Sequence, residues 1–129
     1  MNTVYDASAL LAVAFAEPGA DAVLELLSQP GGEVSAVNWS EVGAKLAERG
    51  LKTDDIAREL SAFGLDVIPF DEEQANIAAS LRPATRPLGL SLGDRSCLAL
   101  AQVRSARVVT ADSNWKKLEG FEVLAVRGV

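Results

Sequence analysis

Four acidic residues, far apart in the chain, have the side chains best suited to chemistry: Asp6, Glu41, Asp94 and Asp112. Asp6 and Asp112 each end an apolar stretch that is typical of a buried strand, whereas Glu41 and Asp94 fall in the first turn of predicted helices. Open α/β sheets bind ligands outside the carboxyl ends of their strands. We therefore expect Asp6, Glu41 and Asp112 at that edge. Asp94 joins them if its helix begins there, which we expect because this helix leads into the strand that ends at Asp112.

Converging carboxylates would repel one another. Two unit charges ~5 Å apart at an effective dielectric near 20 repel by roughly 3 kcal/mol. A divalent cation would relieve most of this repulsion. Mg²⁺ prefers oxygen ligands and is usually held by a few carboxylates together with substrate phosphates, where it orients a phosphodiester and activates water. The four acids are thus predicted metal ligands and catalytic residues.

Each acid also has a structural alternative. Asp6 can cap the helix that follows it, and Glu41 near a helix start is favoured by the helix dipole. Ser91 and Asp94 have the spacing of a capping box. Asp112 can be an ordinary turn residue. Spacing alone leaves these alternatives open.

Composition limits the chemistry. The chain has 129 residues, 49% of them apolar and 23% charged, as expected for one globular domain over residues 1–129. The absence of histidine excludes an imidazole base and histidine-ligated metals, and the single Cys97 excludes an internal disulfide and a multi-thiolate zinc site. A net charge of −6 argues against simple electrostatic binding of nucleic acid, but not against a nuclease whose carboxylates hold a cation.

The apolar run Ala9–Ala16 has no basic residue before it and is too short to span a bilayer. We therefore expect a cytoplasmic protein that does not enter a membrane.

Strand and helix patterns alternate along the chain. Strands are predicted at 4–6, 33–37, 65–70, 107–110 and 122–126. Helices are predicted at 7–15, 20–28, from Asn38 or Ser40 to 49, 53–63, 71–81 and 93–103, with a short turn or helix at 114–118 and a loop at 82–91. This alternation predicts a three-layer α/β/α domain with a largely parallel sheet covered on both faces.

Four segments resemble the successive motifs of PIN-domain ribonucleases, and most closely the VapC toxin branch of bacterial toxin–antitoxin pairs. They are Val4–Leu10, Asn38–Val42, Leu92–Ala101 and Val109–Trp115. The Gly-Asp-Arg-x-Cys-Leu-Ala-Leu-Ala run within the third segment is the most specific, and the match covers essentially the whole chain in order.

This resemblance implies a five-stranded parallel sheet of order 3-2-1-4-5 and Mg²⁺- or Mn²⁺-dependent endonucleolytic cleavage of RNA that leaves a 5′-phosphate and a 3′-hydroxyl. The four acids match the acidic positions of the family. Ser8 matches the small polar residue that supports the first aspartate, and Thr110 and Asn114 are further supporting residues. Asn114 is near a position that is sometimes acidic in the wider family, and its amide weakens the case for a second strong metal site.

The resemblance also implies partners: an RNA substrate, a small VapB-type antitoxin that blocks the pocket, and a second copy in a homodimer. Arg82 and Arg86 precede the third motif, and Arg95 lies within it, directly after Asp94. All three are candidate contacts for RNA phosphates, with solvated surface arginine as the alternative for each. Trp39 and Trp115 could stack on bases, but packing into the protein is favoured by their apolar neighbours.

Two other classes compete with this interpretation. A phosphorylatable receiver domain also has an acidic pocket on a doubly wound sheet, but it needs an aspartate at the end of the third strand and a lysine at the end of the fifth. Residues 67–70 and 123–126 supply neither. A protein-binding module, in which the acids are only caps, is the remaining alternative.

Overall fold

The computed structural model describes residues 2–127 and contains a five-stranded sheet within them. Its strands are β1 (Thr3–Tyr5), β2 (Gly32–Ser35), β3 (Asp66–Ile68), β4 (Arg107–Thr110) and β5 (Val123–Ala125). All neighbouring strands are parallel, and their order is β3-β2-β1-β4-β5. The predicted parallel sheet and its strand order are confirmed. Met1, Gly128 and Val129, which the predicted single domain includes, lie outside the described residues.

Helices connect the strands and cover the sheet. They are α1 (Ala7–Ala14), α2 (Ala20–Leu27), α3 (Ala36–Glu48), α4 (Thr53–Ala62), α5 (Glu72–Ser80), α6 (Arg82–Thr85) and α7 (Leu92–Arg104), with 3₁₀ turns at Arg86–Leu88 and Ser113–Lys117. None of these helices has the length and apolar composition that crossing a bilayer requires, over the described part of the chain.

The central strand β1 supplies side chains to both faces of the sheet, because successive residues of a strand point in opposite directions. Tyr5 belongs to a core cluster with apolar residues of α1, α2, α3 and α4, whereas Val4 belongs to a second cluster with α7 and Trp115. Val108 and Val109 of β4 divide between the clusters in the same way. The two cores confirm the three-layer α/β/α fold.

The boundary between β2 and α3 differs from the sequence prediction. β2 ends at Ser35 instead of Val37, and α3 begins at Ala36 instead of after Asn38 or Ser40. The Ser35 hydroxyl caps the helix by accepting a hydrogen bond of 3.2 Å from the Val37 N–H. Because α3 starts earlier, Glu41 lies in its second turn and the prediction of a first-turn position was wrong.

The loop predicted at 82–91 was also wrong over most of its length, since it contains α6 and a 3₁₀ turn. Pro83 and Pro87 are the second residues of these two elements, within the first turn, where a missing N–H breaks no hydrogen bond of the helix. Gly89 ends the second element with a φ of 67°. The other elements end within one or two residues of their predicted bounds.

The start of α3 can be tested with two serines. Ser35→Ala removes the observed cap and is expected to lower the free energy of unfolding by about 1 kcal/mol. Ser40→Ala, at an exposed position inside the helix, is expected to leave it nearly unchanged. Urea unfolding of both variants measures the difference. A larger loss for Ser40→Ala would mean that the helix begins where the sequence pattern suggested.

Candidate active site at the carboxyl edge of the sheet

Asp6 lies at the end of the central strand β1 and is only 3% exposed. Its carboxylate accepts hydrogen bonds from the Ser8 hydroxyl, at 2.8 Å to Oδ1 and 2.9 Å to Oδ2, and from the Thr110 hydroxyl, at 2.6 Å to Oδ2. The backbone N–H of Ala9 donates to Oδ1 at 2.8 Å. A buried carboxylate needs such donors, because it has lost its hydration. These contacts hold Asp6 at the sheet edge in one orientation.

Ser8 and Thr110 join the ends of β1 and β4. The Ser8 hydroxyl accepts from the Ala111 N–H at 2.9 Å, and the Thr110 hydroxyl accepts from the Asp112 N–H at 3.1 Å. Their own oxygens lie 3.3 Å apart. The backbone of Asp112 is therefore tied through one hydroxyl to the carboxylate of Asp6. Asn114, in contrast, approaches Asp112 only with its backbone N–H.

Burial raises the pKa of Asp6 from 3.8 to about 6, and the hydrogen bonds from Thr110, Ala9 and Ser8 oppose this rise. The negative charge of Asp94 adds to it. Burial therefore favours the protonated form of Asp6 more than water would.

Glu41 is held against the first turn of α7. The Asn38 side-chain amide donates to Glu41 Oε1 at 2.8 Å and to the Gly93 carbonyl at 2.9 Å. A Cβ atom at Gly93 would overlap the Glu41 carboxylate, at 2.7 Å from Cδ and 2.8 Å from Oε2. Only glycine at this position lets Glu41 lie beside the backbone that carries Asp94.

Asp94 and Asp112 act as caps in this structure. Asp94 Oδ2 accepts from the Ser91 N–H at 2.9 Å, while the Ser91 hydroxyl accepts from the Asp94 N–H at 3.2 Å. Asp112 Oδ1 accepts from the Asn114 N–H at 2.9 Å. Asp6 also caps α1. The capping roles considered for Asp6 and Asp94 are both present, and Asp112, considered as a turn residue, caps the 3₁₀ turn Ser113–Lys117.

Cys97 lies beneath this edge, fully buried in α7. Its burial and the negative charges of Asp6, Asp94 and Glu41 raise the pKa of the Cys97 thiol well above its usual range. Within residues 2–127, however, no group of three or more Asp, Glu or Cys side chains is arranged to hold a metal ion. In this arrangement the carboxylates of Asp94 and Asp112 face their own cap N–H groups.

The three arginines proposed for phosphate contact have different surroundings. Arg82 and Arg86 are exposed on the segment before α7. Arg95 is half-buried and donates from Nη1 to the carbonyl of Ala78 near the end of α5, at 2.8 Å, so it ties α5 to α7. Trp115 is buried in the second core cluster, which confirms its packing role. Trp39 packs partly against the first cluster.

The sequence pattern did not reveal the roles of Asn38 and Gly93. The sequence pattern places Asn38 only at a possible helix start, although it lies three residues before Glu41, a spacing that puts both on one helix face. That spacing was the available signal. The role of Gly93 depends on a neighbour from another helix, which no local pattern contains.

The fold and the site together define a doubly wound α/β protein with an acidic site where the strand order reverses, between β1 and β4. This order differs from the 2-1-3-4-5 order of receiver domains and excludes that alternative. The sequence matches the family model of the PIN domain over residues 3–120, so the chain belongs to the PIN-domain family. The resemblance inferred from the motifs is confirmed.

Several solved structures share this fold. A toxin–antitoxin complex from Klebsiella pneumoniae has a TM-score of 0.80 and 19% identity, with 99% of this chain and 100% of that chain covered. VapBC2 of Rickettsia felis, bound to a promoter DNA fragment, has a TM-score of 0.72, 18% identity and coverages of 97% and 98%. VapC20 of Mycobacterium tuberculosis, a sarcin–ricin loop cleaving toxin, has a TM-score of 0.71, 16% identity and coverages of 93% and 96%. Comparison with curated proteins finds no match.

The raised pKa of Asp6 predicts how stability depends on pH. Between about pH 4 and about pH 6 the unfolded chain releases this proton before the folded protein does, so the free energy of unfolding falls as pH rises. The rise of the Asp6 pKa from 3.8 to about 6 corresponds to a loss of about 3 kcal/mol in the free energy of unfolding across this pH range. Asp6→Asn removes this decline and is expected to stabilise the metal-free protein near neutral pH.

Urea unfolding in a chelating buffer, from about pH 4 to about pH 7.5, measures the effect. Glu25→Gln, which changes an exposed acid on α2, is the matched control and should follow the wild-type curve. If the free energy of unfolding has the same pH dependence in the wild type and in Asp6→Asn, the raised pKa of Asp6 is contradicted.

Proposed function

We propose that this chain is a divalent-metal-dependent endoribonuclease that acts as the toxin of a toxin–antitoxin pair. Asp6, Glu41, Asp94 and Asp112 are its proposed catalytic and metal-binding residues. The observation that carries the proposal is membership of the PIN-domain family, in a chain whose Asp6 carboxylate is held at the sheet edge by the Ser8 and Thr110 hydroxyls. The similarity in fold to a toxin that cleaves the sarcin–ricin loop supports RNA as the substrate class.

The donor chemistry of the site fits Mg²⁺ or Mn²⁺. All candidate ligands are oxygen atoms, and the raised pKa keeps the Cys97 thiol protonated, so no thiolate competes for a softer metal. When bound, the cation would supply positive charge to a phosphodiester and lower the pKa of a water molecule. Its binding would also favour the ionised form of Asp6.

The residues around the proposed metal site have two different roles: some position a ligand, and others are themselves ligands. Ser8, Thr110 and the Ala9 N–H hold Asp6 in place, so this ligand needs no reorganisation. Asp94 and Asp112 each use one carboxylate oxygen as a cap, and their other oxygens have no partner among residues 2–127. These two side chains can turn toward a shared ion while the backbone stays in place.

Substrate and partner contacts are part of the same proposal. Arg82 and Arg86 are exposed before α7 and can contact RNA phosphates. An apolar groove of about 380 Å³ between α3 and α4, lined by Trp39, Val42 and Leu46 among others, is the surface on which we place a segment of the antitoxin. We further propose a homodimer and a cytoplasmic location.

RNA cleavage tests the proposed function directly. The chain is expressed without an antitoxin, and new RNA 5′ ends are mapped. We expect 5′-monophosphate ends that a chelator abolishes in the purified reaction. Asp94→Asn keeps a capping side chain but removes a charge, and it should reduce cleavage by about 100-fold or more. Glu25→Gln is the control. Unchanged cuts with Asp94→Asn would refute the proposal.

Two glycines separate site geometry from stability. Gly93→Ala is expected to displace the Glu41 carboxylate and lower cleavage by about 100-fold, because small misplacements at a reacting centre are costly. Its stability should change little, since the exposed Glu41 side chain can move away. Gly43→Ala, on the same helix as Glu41 but with open space around its new methyl group, should cleave normally. Equal activity of the two variants would show that the position of Glu41 is unimportant.

A further inference from the structure

We propose that Asn38 is a positioning residue that fixes the Glu41 carboxylate for cation binding. This inference rests on the proposed function. Asn38 lies on α3, three residues before Glu41, and its amide nitrogen bridges Glu41 Oε1 and the carbonyl of Gly93 on α7. One side chain therefore joins the two helices that carry Glu41 and Asp94.

The orientation of this amide is determined by its contacts. Both hydrogens of Nδ2 point to acceptors, and the reverse orientation would place Oδ1 against the same two oxygens. Asn38 is 1% exposed, and its Oδ1 has no hydrogen-bond partner within residues 2–127. An unsatisfied buried carbonyl is unfavourable, so an apolar side chain would serve packing better than an amide does. The two donated hydrogen bonds are what the amide contributes.

Glu41 needs such a donor to stay at the site. Its side chain is exposed, and the Asn38 amide is the hydrogen-bond donor that its carboxylate has among residues 2–127. Without this donor, the carboxylate would be free to turn toward water. The room that Gly93 leaves allows the inward position but does not enforce it.

The chemical type of the donor also matters. Arginine or lysine at position 38 would hold Glu41 more strongly but would bring a positive charge that competes with a metal ion. A neutral amide orients the carboxylate and leaves its charge intact for the cation. Asparagine thus combines two properties that this position requires.

Cation binding without RNA provides the first test. Wild type, Asn38→Ala, Glu41→Gln and the double variant are titrated with MnCl₂ while the melting temperature is measured. Loss of a residue that orients a metal ligand commonly weakens affinity by about 10-fold to 100-fold. We expect Asn38→Ala to need at least about 10-fold more Mn²⁺ for the same stabilisation, and the double variant to need no more than Glu41→Gln alone.

A purely structural role of Asn38 gives a different result. Asn38→Ala would then lower the melting temperature without cation, its response to Mn²⁺ would match the wild type, and its loss would add to that of Glu41→Gln. That result overturns the inference. If Asn38→Ala does not fold, Asn38→Thr, which retains one hydrogen-bond donor, replaces it. The same two quantities are then compared: the Mn²⁺ concentration needed for stabilisation and the additivity with Glu41→Gln.

RNA cleavage separates this inference from the proposed function. If the Asn38 variants cleave RNA at the wild-type rate and need no more Mn²⁺ than the wild type, the positioning role of Asn38 is refuted and the proposed function stands. A wild-type protein that neither cleaves RNA nor gains stability from Mg²⁺ or Mn²⁺ would refute both. Cleavage by wild type that needs about 10-fold more Mn²⁺ in Asn38→Ala supports both.

Discussion

The burial of one carboxylate at the end of the central strand is the constraint on which the site depends. Asp6 is nearly inaccessible to water, and its charge is tolerated because two hydroxyl groups and one backbone N–H surround it. One of these hydroxyls belongs to Thr110, more than a hundred residues away, and reaches Asp6 only because β4 pairs with β1. The hydrogen bonds that stabilise the Asp6 carboxylate therefore depend on the order of the strands in the sheet.

Capping and binding are compatible uses of the same side chains. Asp6, Asp94 and Asp112 each accept a hydrogen bond from an N–H group at the start of a helical segment. Such N–H groups and the helix dipole stabilise negative charge, so acids can gather at the carboxyl edge of a parallel sheet without a cation. The caps therefore also explain how these charged side chains are tolerated at the edge of the sheet.

Asn38 connects the helices that cover the two faces of the sheet. The helix α3 packs in one core cluster and α7 in the other, and the amide bridge between Glu41 and Gly93 connects them beyond the end of the sheet. Gly93 is required for close approach rather than for an unusual φ. A contact between layers, rather than a feature of either helix, determines where Glu41 lies.

The sequence by itself determined the parallel α/β architecture, nearly all element bounds and the acids at the sheet edge, because hydrophobic periodicity and strand ends are local properties. It misplaced the start of α3 because Ala36 and Val37 suit a strand as well as a helix, and only the Ser35 cap decides between them. The strand order 3-2-1-4-5 came from the resemblance to PIN-domain ribonucleases and not from the residue pattern itself. Tertiary structure alone decided that Asn38 holds Glu41 and that Thr110 bonds to Asp6, because these contacts join residues whose proximity exists only after the layers pack.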